Sequence, residues 1–317
     1  MLMIGRTVLI TAAAFLGSAC APPSPARAST EARYDGDSRA ADSPIQCDAC
    51  AEWSRPREPF PLFGNTYYVG PMGVSSLVIT TSSGLVLLDG ALPQSAAAIS
   101  ANIRKLGFRP EDIRLILNSH AHFDHAGGIA AMQKLSGARV VASALSARAL
   151  ERGWPTEDDP QYQSGRESKL RYAPIANVEK VGDGQALTVG DVTITAHLTP
   201  GHTPGSTTWT WRTCEAERCL DVVYADSLSP IADPGFRFEG DASHPSVVAA
   251  FRHSIEAIDR LPCDLLVTVH PESMHLDEKL AARAKGASPD PFIDANACHA
   301  YAAGSLQALE KRLAAEQ

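Results

Sequence analysis

The chain has 317 residues, enough for one large core or two modest ones, and its 44% hydrophobic and 20% charged side chains exclude a disordered protein. A formal net charge of −8 leaves no basic footprint and argues against nucleic acid as a partner. Beyond residue 20 no run approaches the roughly 20 apolar residues of a membrane span.

Arg6 precedes the apolar run 8–16, which has the length of a signal-peptide core and is too short to span a membrane. Ala26-Arg27-Ala28 has the small-x-small pattern of a cleavage site, so residues 1–28 read as a signal peptide with Ser29 as the first mature residue. Leu16-Gly17-Ser18-Ala19-Cys20 resembles a lipoprotein box with its leucine one position too far from the cysteine, which keeps a lipid anchor at Cys20 as the alternative. Either route predicts export, to the periplasm. Of seven cysteines, Cys20 is lost with the signal or taken by lipid, and the even remainder suggests disulfides. Cys214 and Cys219 flank a short polar turn and invite a local bridge. Cys263 and Cys298 would staple the last strand to the C-terminal helix. Cys47 and Cys50 either close on each other or serve a structural zinc.

Residues 29–59, rich in Ala, Ser, Asp, Arg and Pro, read as a loose N-terminal arm, followed by a single domain over 60–317 in which order begins near Phe63. Segments 65–69, 75–80 and 85–89 read as short strands, the last two joined by Thr81-Ser82-Ser83-Gly84. Residues 93–106 predict a helix with Pro93 in its first turn and Gly107 as its stop. A strand at 113–118, a helix at 127–135, a strand at 138–142 and a helix at 143–153 follow. The stretch 154–176 has no periodicity and reads as the longest loop. Strands return at 192–198, 207–211 and 220–224, then a helix at 245–261, a strand at 264–269, and closing helices from Leu276 and from Ala295. Strands and helices alternate without a strict β-α-β beat, which predicts helices covering two packed sheets.

His120-Ala121-His122-Phe123-Asp124-His125 follows the apolar run Leu115-Ile116-Leu117, in a chain with only 10 histidines. Neutral imidazole and carboxylate are ligands that divalent zinc accepts, and four of them on one short turn can supply halves of two neighbouring sites. Thr199-Pro200-Gly201-His202-Thr203-Pro204-Gly205-Ser206 follows the strand 192–198, and its prolines and glycines fix a tight turn that holds one imidazole rigidly. His270-Pro271 follows the strand ending at Val269. Each cluster stands at the C-terminal end of an apolar strand, so three strand-end loops are expected to converge on one edge.

Taken with Tyr224-Ala225-Asp226-Ser227-Leu228-Ser229, Gly64-Asn65-Thr66, Leu87-Leu88-Asp89-Gly90 and Leu261-Pro262-Cys263-Asp264, these motifs resemble the metallo-β-lactamase superfamily. In detail they resemble the third subclass of class B β-lactamases, from about Phe60 to Ala302. The resemblance implies an α/β fold, an αββα sandwich of two packed mixed sheets flanked by helices, with a two-zinc site along its open edge. It implies that His120, His122 and His202 bind the first Zn2+ and Asp124, His125 and His270 the second, and that Ser227 stands where another subclass has a cysteine ligand. Met72 stands where some disulfide-rich relatives have a cysteine. The implied reaction is hydrolysis of the β-lactam amide of penicillins, cephalosporins or carbapenems, and hence antibiotic resistance. Three neutral imidazoles leave a zinc its full charge, which lowers the pKa of bound water from about 16 to about 7. Asp124 would aim the resulting hydroxide, and Ser227 and Ser229 would hydrogen-bond the substrate carboxylate. The implied partner is a small β-lactam, and the chain is read as a monomer.

Asp89, at a strand end, is a candidate acceptor for the outer N–H of a ligand histidine. His197 is either a similar orienting residue or a plain strand histidine, His244, His253 and His299 read as surface or helix residues, and His275, five residues past His270, reads as outside the site with the pocket rim as its alternative. The loop 154–164, with Trp154, Gln161 and Tyr162, is either a wall of the cleft or a plain surface loop. A rival reading is another hydrolase on this scaffold, a lactonase, thioester hydrolase or phosphodiesterase, in which an aspartate near Asp226 bridges the two metals. Against it stand the 77 positions between His125 and His202, more than the glyoxalase-type enzymes place there. A zinc-binding protein without catalysis would lack a ligand, and none of the six is missing.

Overall fold

Strand β5 (Ile113–Leu117) shows how this sequence builds its layers. Leu115 and Leu117 join one core while Ile116 joins another on the opposite face, and all three are buried. A strand buried on both faces reads as a continuous apolar run and needs a layer on each side. The neighbouring β4 (Gly84–Leu88) repeats the division, with Val86 and Leu88 on one face and Leu85 and Leu87 on the other.

This computed structural model describes Leu2 and residues 43–317 apart from Ser243; the expected signal peptide and the lipid site at Cys20 lie outside the described residues. Among the described residues, twelve strands form two sheets. The first runs in order β1 (Phe60–Phe63), β2 (Thr66–Tyr68), β3 (Leu77–Thr81), β4, β5, β6 (Arg139–Ser143) and β7 (Val178–Val181). The second runs β12 (Leu265–Thr268), β11 (Arg218–Ala225), β10 (Thr207–Glu215), β9 (Val192–Leu198) and β8 (Ala186–Val189). Their inner faces share a core that includes Tyr68, Leu77, Leu117, Trp209, Trp211 and Tyr224. On the outer face of the first sheet lie α2 (Ala96–Lys105), α4 (Ile129–Ser136) and α5 (Ala144–Arg152), through Ile99, Ile103, Met132 and Leu150. The second sheet is covered by α7 (Val248–Arg260) and α9 (Ala297–Ala314), through Phe251, Ile255, Ala302 and Leu309. This is the αββα sandwich of two mixed sheets that the sequence implied.

Strand direction explains why the histidine clusters meet. β4, β5 and β6 run parallel, so Asp89 and the segment after Leu117 leave the first sheet at the same edge. In the second sheet β11 is parallel to β12, and β9 and β11 both oppose β10, so β9, β11 and β12 all end at one edge. His202, Asp226 and His270 follow those three ends.

Three strands escape the sequence pattern. β1 contains Pro61, which cannot donate to a ladder and belongs on an edge. β7 and β8 are four-residue edge strands with exposed polar positions, too short to show alternation. The described part of the arm, from residue 43 on, is more ordered than its composition suggests. Ile45 and Cys50 enter the core, residues Cys50–Trp53 form α1, and Cys47 is bonded to Cys50. That covalent link supplies order where apolar content is low. The other two disulfides are Cys214–Cys219 and Cys263–Cys298. No helix among the described residues is long and apolar enough to cross a membrane.

Candidate metal centre

The chain leaves β5 at Leu117 and folds back at once, because Asn118 Nδ2 donates to the His120 carbonyl at 2.7 Å. Asp89, buried at the end of β4, anchors this turn: its carboxylate accepts from Ser119 N at 2.8 Å, Ser119 Oγ at 2.6 Å, Asn118 Nδ2 at 3.1 Å and Tyr224 Oη at 2.9 Å. Burial pushes its pKa up to about 6 even though His125 and these donors pull it down. His125 Nδ1 lies 3.9 Å from Asp89, too far for a hydrogen bond. Asp89 therefore holds the backbone of the histidine loop rather than a ligand's outer N–H, since its oxygens are already taken. His122 then starts the single helical turn α3 (Phe123–Ala126), which carries Asp124 and His125.

His120, His122 and His202 bring one ligand atom each within 4.8 Å of one another, as do His120, Asp124 and His125. His270 joins the second cluster: its Nε2 is 3.3 Å from His125 Nε2 and 3.4 Å from Asp124 Oδ2, and Asp124 Oδ2 is 3.2 Å from His125 Nε2. The structure thus gathers all six of the residues singled out as ligands. The turn before His202 is fixed by Gly201, whose φ of +156° and contact with the Phe251 ring leave no room for a Cβ.

The outer nitrogens are held from behind. His120 Nδ1 is 2.6 Å from Asp226 Oδ1, both wholly buried. His122 Nε2 is 3.1 Å from Asp159 Oδ1, His202 Nδ1 is 3.0 Å from the Ser229 carbonyl, and His270 Nδ1 is 3.1 Å from the Gly73 carbonyl. A neutral imidazole that donates through one nitrogen presents a lone pair at the other. His120 Nε2 is accordingly a buried polar atom with no partner, which is what a metal ligand awaiting its ion looks like. Imidazole and carboxylate in these two sets suit a divalent ion such as zinc.

Burial and then neighbouring imidazoles hold His120 and His202 well below the usual histidine range, so both are neutral donors. Burial alone would raise Asp124, but His125 and His270 outweigh it and keep the carboxylate ionised. Burial would likewise lower His122 and His270, but Asp159 lifts the first and Asp124 the second.

His122, Asp124, His202 and His270 line a cavity of about 720 Å³, the size of a small-molecule site, while His120 and His125 are wholly buried. Ser227 and Ser229 line it too, with their hydroxyls 2.8 Å apart. Asp226 does not. Its Oδ1 is taken by His120 Nδ1, the ring nitrogen opposite the unpartnered Nε2, so this oxygen orients a ligand, while its Oδ2 is buried without a partner. Of the loop 154–164, Gln161 reaches the cavity, while Trp154 lies between Arg152 and Arg171. His275 lies at the exposed rim, nearer than expected. His197 bonds Thr210 Oγ1 at 2.9 Å in a separate cleft, so it is a plain strand histidine. His253 is exposed, and His244 and His299 pair with Asp241 and Asp259.

Sequence reasoning missed Asp159, one acidic residue in an aperiodic polar loop, and the cavity walls formed by Trp53 and Tyr301. Replacing Asp159 by alanine is expected to weaken metal binding about 10- to 100-fold, the usual effect of losing a ligand's orienting partner. Competition with a chromophoric chelator measures this; unchanged affinity would contradict the orienting role.

The sequence model of the metallo-β-lactamase superfamily matches residues 69–270. Among solved structures, the Rm3 metallo-β-lactamase is 48% identical with a TM-score of 0.82, over 86% of this chain and 99% of that one. MEM-A1, a subclass B3 metallo-β-lactamase from a soil metagenome library, is 44% identical with a TM-score of 0.79, over 83% of this chain and 98% of that one. A curated relative, the hydroxyacylglutathione hydrolase of Anaeromyxobacter dehalogenans (strain 2CP-C), is 31% identical over 134 residues, 42% of this chain and 40% of that protein. The chain spans about half or less of the length of the curated relatives it matches. With its family motifs at the ends of parallel strands and its likeness to these lactamases running over most of its length, the chain belongs to the metallo-β-lactamase superfamily.

Proposed function

We propose that this chain hydrolyses the amide bond of β-lactams with two zinc ions, one held by His120, His122 and His202, the other by Asp124, His125 and His270. One observation carries the reading: the two donor sets meet at His120, and Ser227 and Ser229 line the same cavity as His122, Asp124, His202 and His270, while Asp226 Oδ1 is taken by the outer nitrogen of His120. Likeness to subclass B3 lactamases over nearly their whole length supports it. Zinc ions so held supply Lewis-acid polarisation of the lactam carbonyl and activate water at neutral pH.

The rest falls to the chain's own side chains. Asp226 and Asp159 fix the imidazole tautomers, so the donor lone pairs are in place before substrate arrives. Asp124, kept ionised beside two imidazoles, accepts a hydrogen bond from the attacking water and aims it. Ser227 and Ser229 donate to the substrate carboxylate, directly or through water. The reading includes a monomeric state and export to the periplasm, the export supported by three disulfides of the kind that persist in oxidising compartments.

Purified, zinc-loaded protein should hydrolyse nitrocefin, lose that activity to a chelator and regain it with zinc. Protein carrying two zincs that leaves nitrocefin, a penicillin and a carbapenem intact but cleaves a thioester or lactone would overturn the reading in favour of the rival.

A pH dependence follows from the two raised imidazoles. In metal-free protein His122 and His270 keep their protons to a higher pH than free histidine. Proton and metal compete for the same lone pairs, so affinity is full above those pKa values and falls as pH drops through them. Zinc affinity should therefore begin to fall above pH ~6.5, the free-histidine value. Titrations at stepped pH check this; affinity flat down to pH ~6 contradicts it.

A further inference from the structure

The turn after β11 does more than present two serines. Asp226 accepts from His120 through its side chain, and Ser229 accepts from His202 through its carbonyl. Two of the three imidazoles in the first donor set are therefore aimed by one turn, residues 226–229. That turn lies beyond the last ladder pair of β11 with β12, Ala225 with Thr268, so strand pairing no longer holds it. Asp226 N is tied to Thr208 Oγ1 at 3.1 Å, and Ser229 N reaches only the neighbouring Ser227 Oγ at 3.3 Å.

The remaining tether comes from far away in the chain. Tyr301 Oη accepts from Leu228 N at 3.0 Å and donates to the Asp226 carbonyl at 3.0 Å. One phenol thus closes on a donor and an acceptor two residues apart and sets the curvature between them. Leu228 is buried, so its N–H has no water to fall back on. Burial pushes the phenol above its usual pKa, so it keeps the proton it donates across the neutral range. Tyr301 sits on α9, three positions after Cys298, whose bond to Cys263 fixes that end of the helix just ahead of β12. Its ring packs with the outer core while lining the cavity.

We propose that Tyr301 is a positioning residue of the metal centre, its hydroxyl setting the turn 226–229 and through it the aim of His120 and His202 and the placement of Ser227 and Ser229. The serine part rests on the β-lactam reading above; the histidine part rests on metal binding alone.

The test uses Tyr301→Phe, which removes one oxygen and keeps the ring. In the disulfide-bonded protein, zinc affinity by chelator competition is expected to fall about tenfold, the scale of a lost orienting contact. At saturating zinc, KM for nitrocefin should rise about tenfold while kcat changes much less, because the serines bind substrate and the reacting groups are refilled. Leu313→Ala serves as the control: it loosens the same helix about 18 Å further along, at 1.5 Å per residue, and should leave zinc affinity and KM unchanged. Tyr301→Phe values equal to the parent's overturn the proposal, as do equal losses in Leu313→Ala, which would mark a general effect of the helix. If the parent itself spares β-lactams, the functional reading fails and zinc affinity alone decides: weakened in Tyr301→Phe, the positioning role stands; unchanged, it falls.

Discussion

Asp124→Ala is expected to lower kcat/KM for nitrocefin by ~10³ or more and to reduce bound zinc from two ions toward one. Asp124 is the sole carboxylate among the six gathered donors, and its Oδ2 lies within 3.4 Å of both His125 Nε2 and His270 Nε2. Removing it leaves two imidazoles and takes away the one anionic donor that the second ion would share with them. Lewis-acid stabilisation by a bound ion is worth several kcal/mol, and each 1.36 kcal/mol is tenfold in rate. The outer nitrogens of the first donor set are held by Asp226, Asp159 and Ser229 and not by Asp124, so one zinc should remain. Near-normal turnover with two zincs bound would remove Asp124 from the centre. Asp124→Asn separates charge from shape: if geometry alone mattered it would retain both metals, and the expected result is that it does not.

The placement of that carboxylate was legible because the site is written in strand ends. Leu115-Ile116-Leu117, the apolar end of β9 and the run before His270 are each unambiguous, and each is followed at once by a donor. Parallel strand direction then does the rest, since it brings segments 80 and 150 residues apart in sequence to one edge. Orienting contacts are a different matter. Asp159 comes from a polar loop whose Thr, Glu, Asp and Pro residues look like any solvated surface, and only the folded loop reveals which acid faces His122. Tyr301 lies in a helix whose pattern announces a core-facing stripe, and nothing local says that its hydroxyl reaches past that core to a turn 75 positions earlier. Asp89 is legible as part of the centre from its place at a strand end, but its neighbours are not. A buried carboxylate takes whichever donors arrive first, and four from Ser119, Asn118 and Tyr224 reach it before His125 does. Edge strands β7 and β8 were invisible for want of length, and β1 because proline hid it.

Trp209→Ala is expected to cost more stability than any other single truncation between the sheets. Trp209 is wholly buried on β10, in the core shared by the two sheets, and leads the fully buried side chains in size. Truncating a buried tryptophan costs about 3–5 kcal/mol through lost transfer energy and the cavity left behind. Its indole N–H also donates to the Asn118 carbonyl at 3.1 Å, so truncation leaves that buried acceptor without its partner, a further ~1–3 kcal/mol. The sum is comparable to the whole stability of an ordinary domain, about 5–15 kcal/mol, so the metal-free variant should sit close to its unfolding midpoint at 25 °C. Asn118 also pins the His120 carbonyl, which links the core to the metal centre. The full donor sets exist only in the folded chain, where three strand-end loops meet, and a ligand specific to that state at 100 times its Kd restores about 2.7 kcal/mol. Urea melts should consequently show a much larger gap between metal-free and zinc-loaded midpoints in Trp209→Ala when that gap is taken as a fraction of the metal-free stability. Trp209→Phe keeps most of the volume and loses only the N–H, so it should fall between the parent and the alanine variant. A loss below ~1 kcal/mol in Trp209→Ala, against the 3–5 usual for such a truncation, would mean that the two sheets collapse onto the gap and that the indole is not what spaces them.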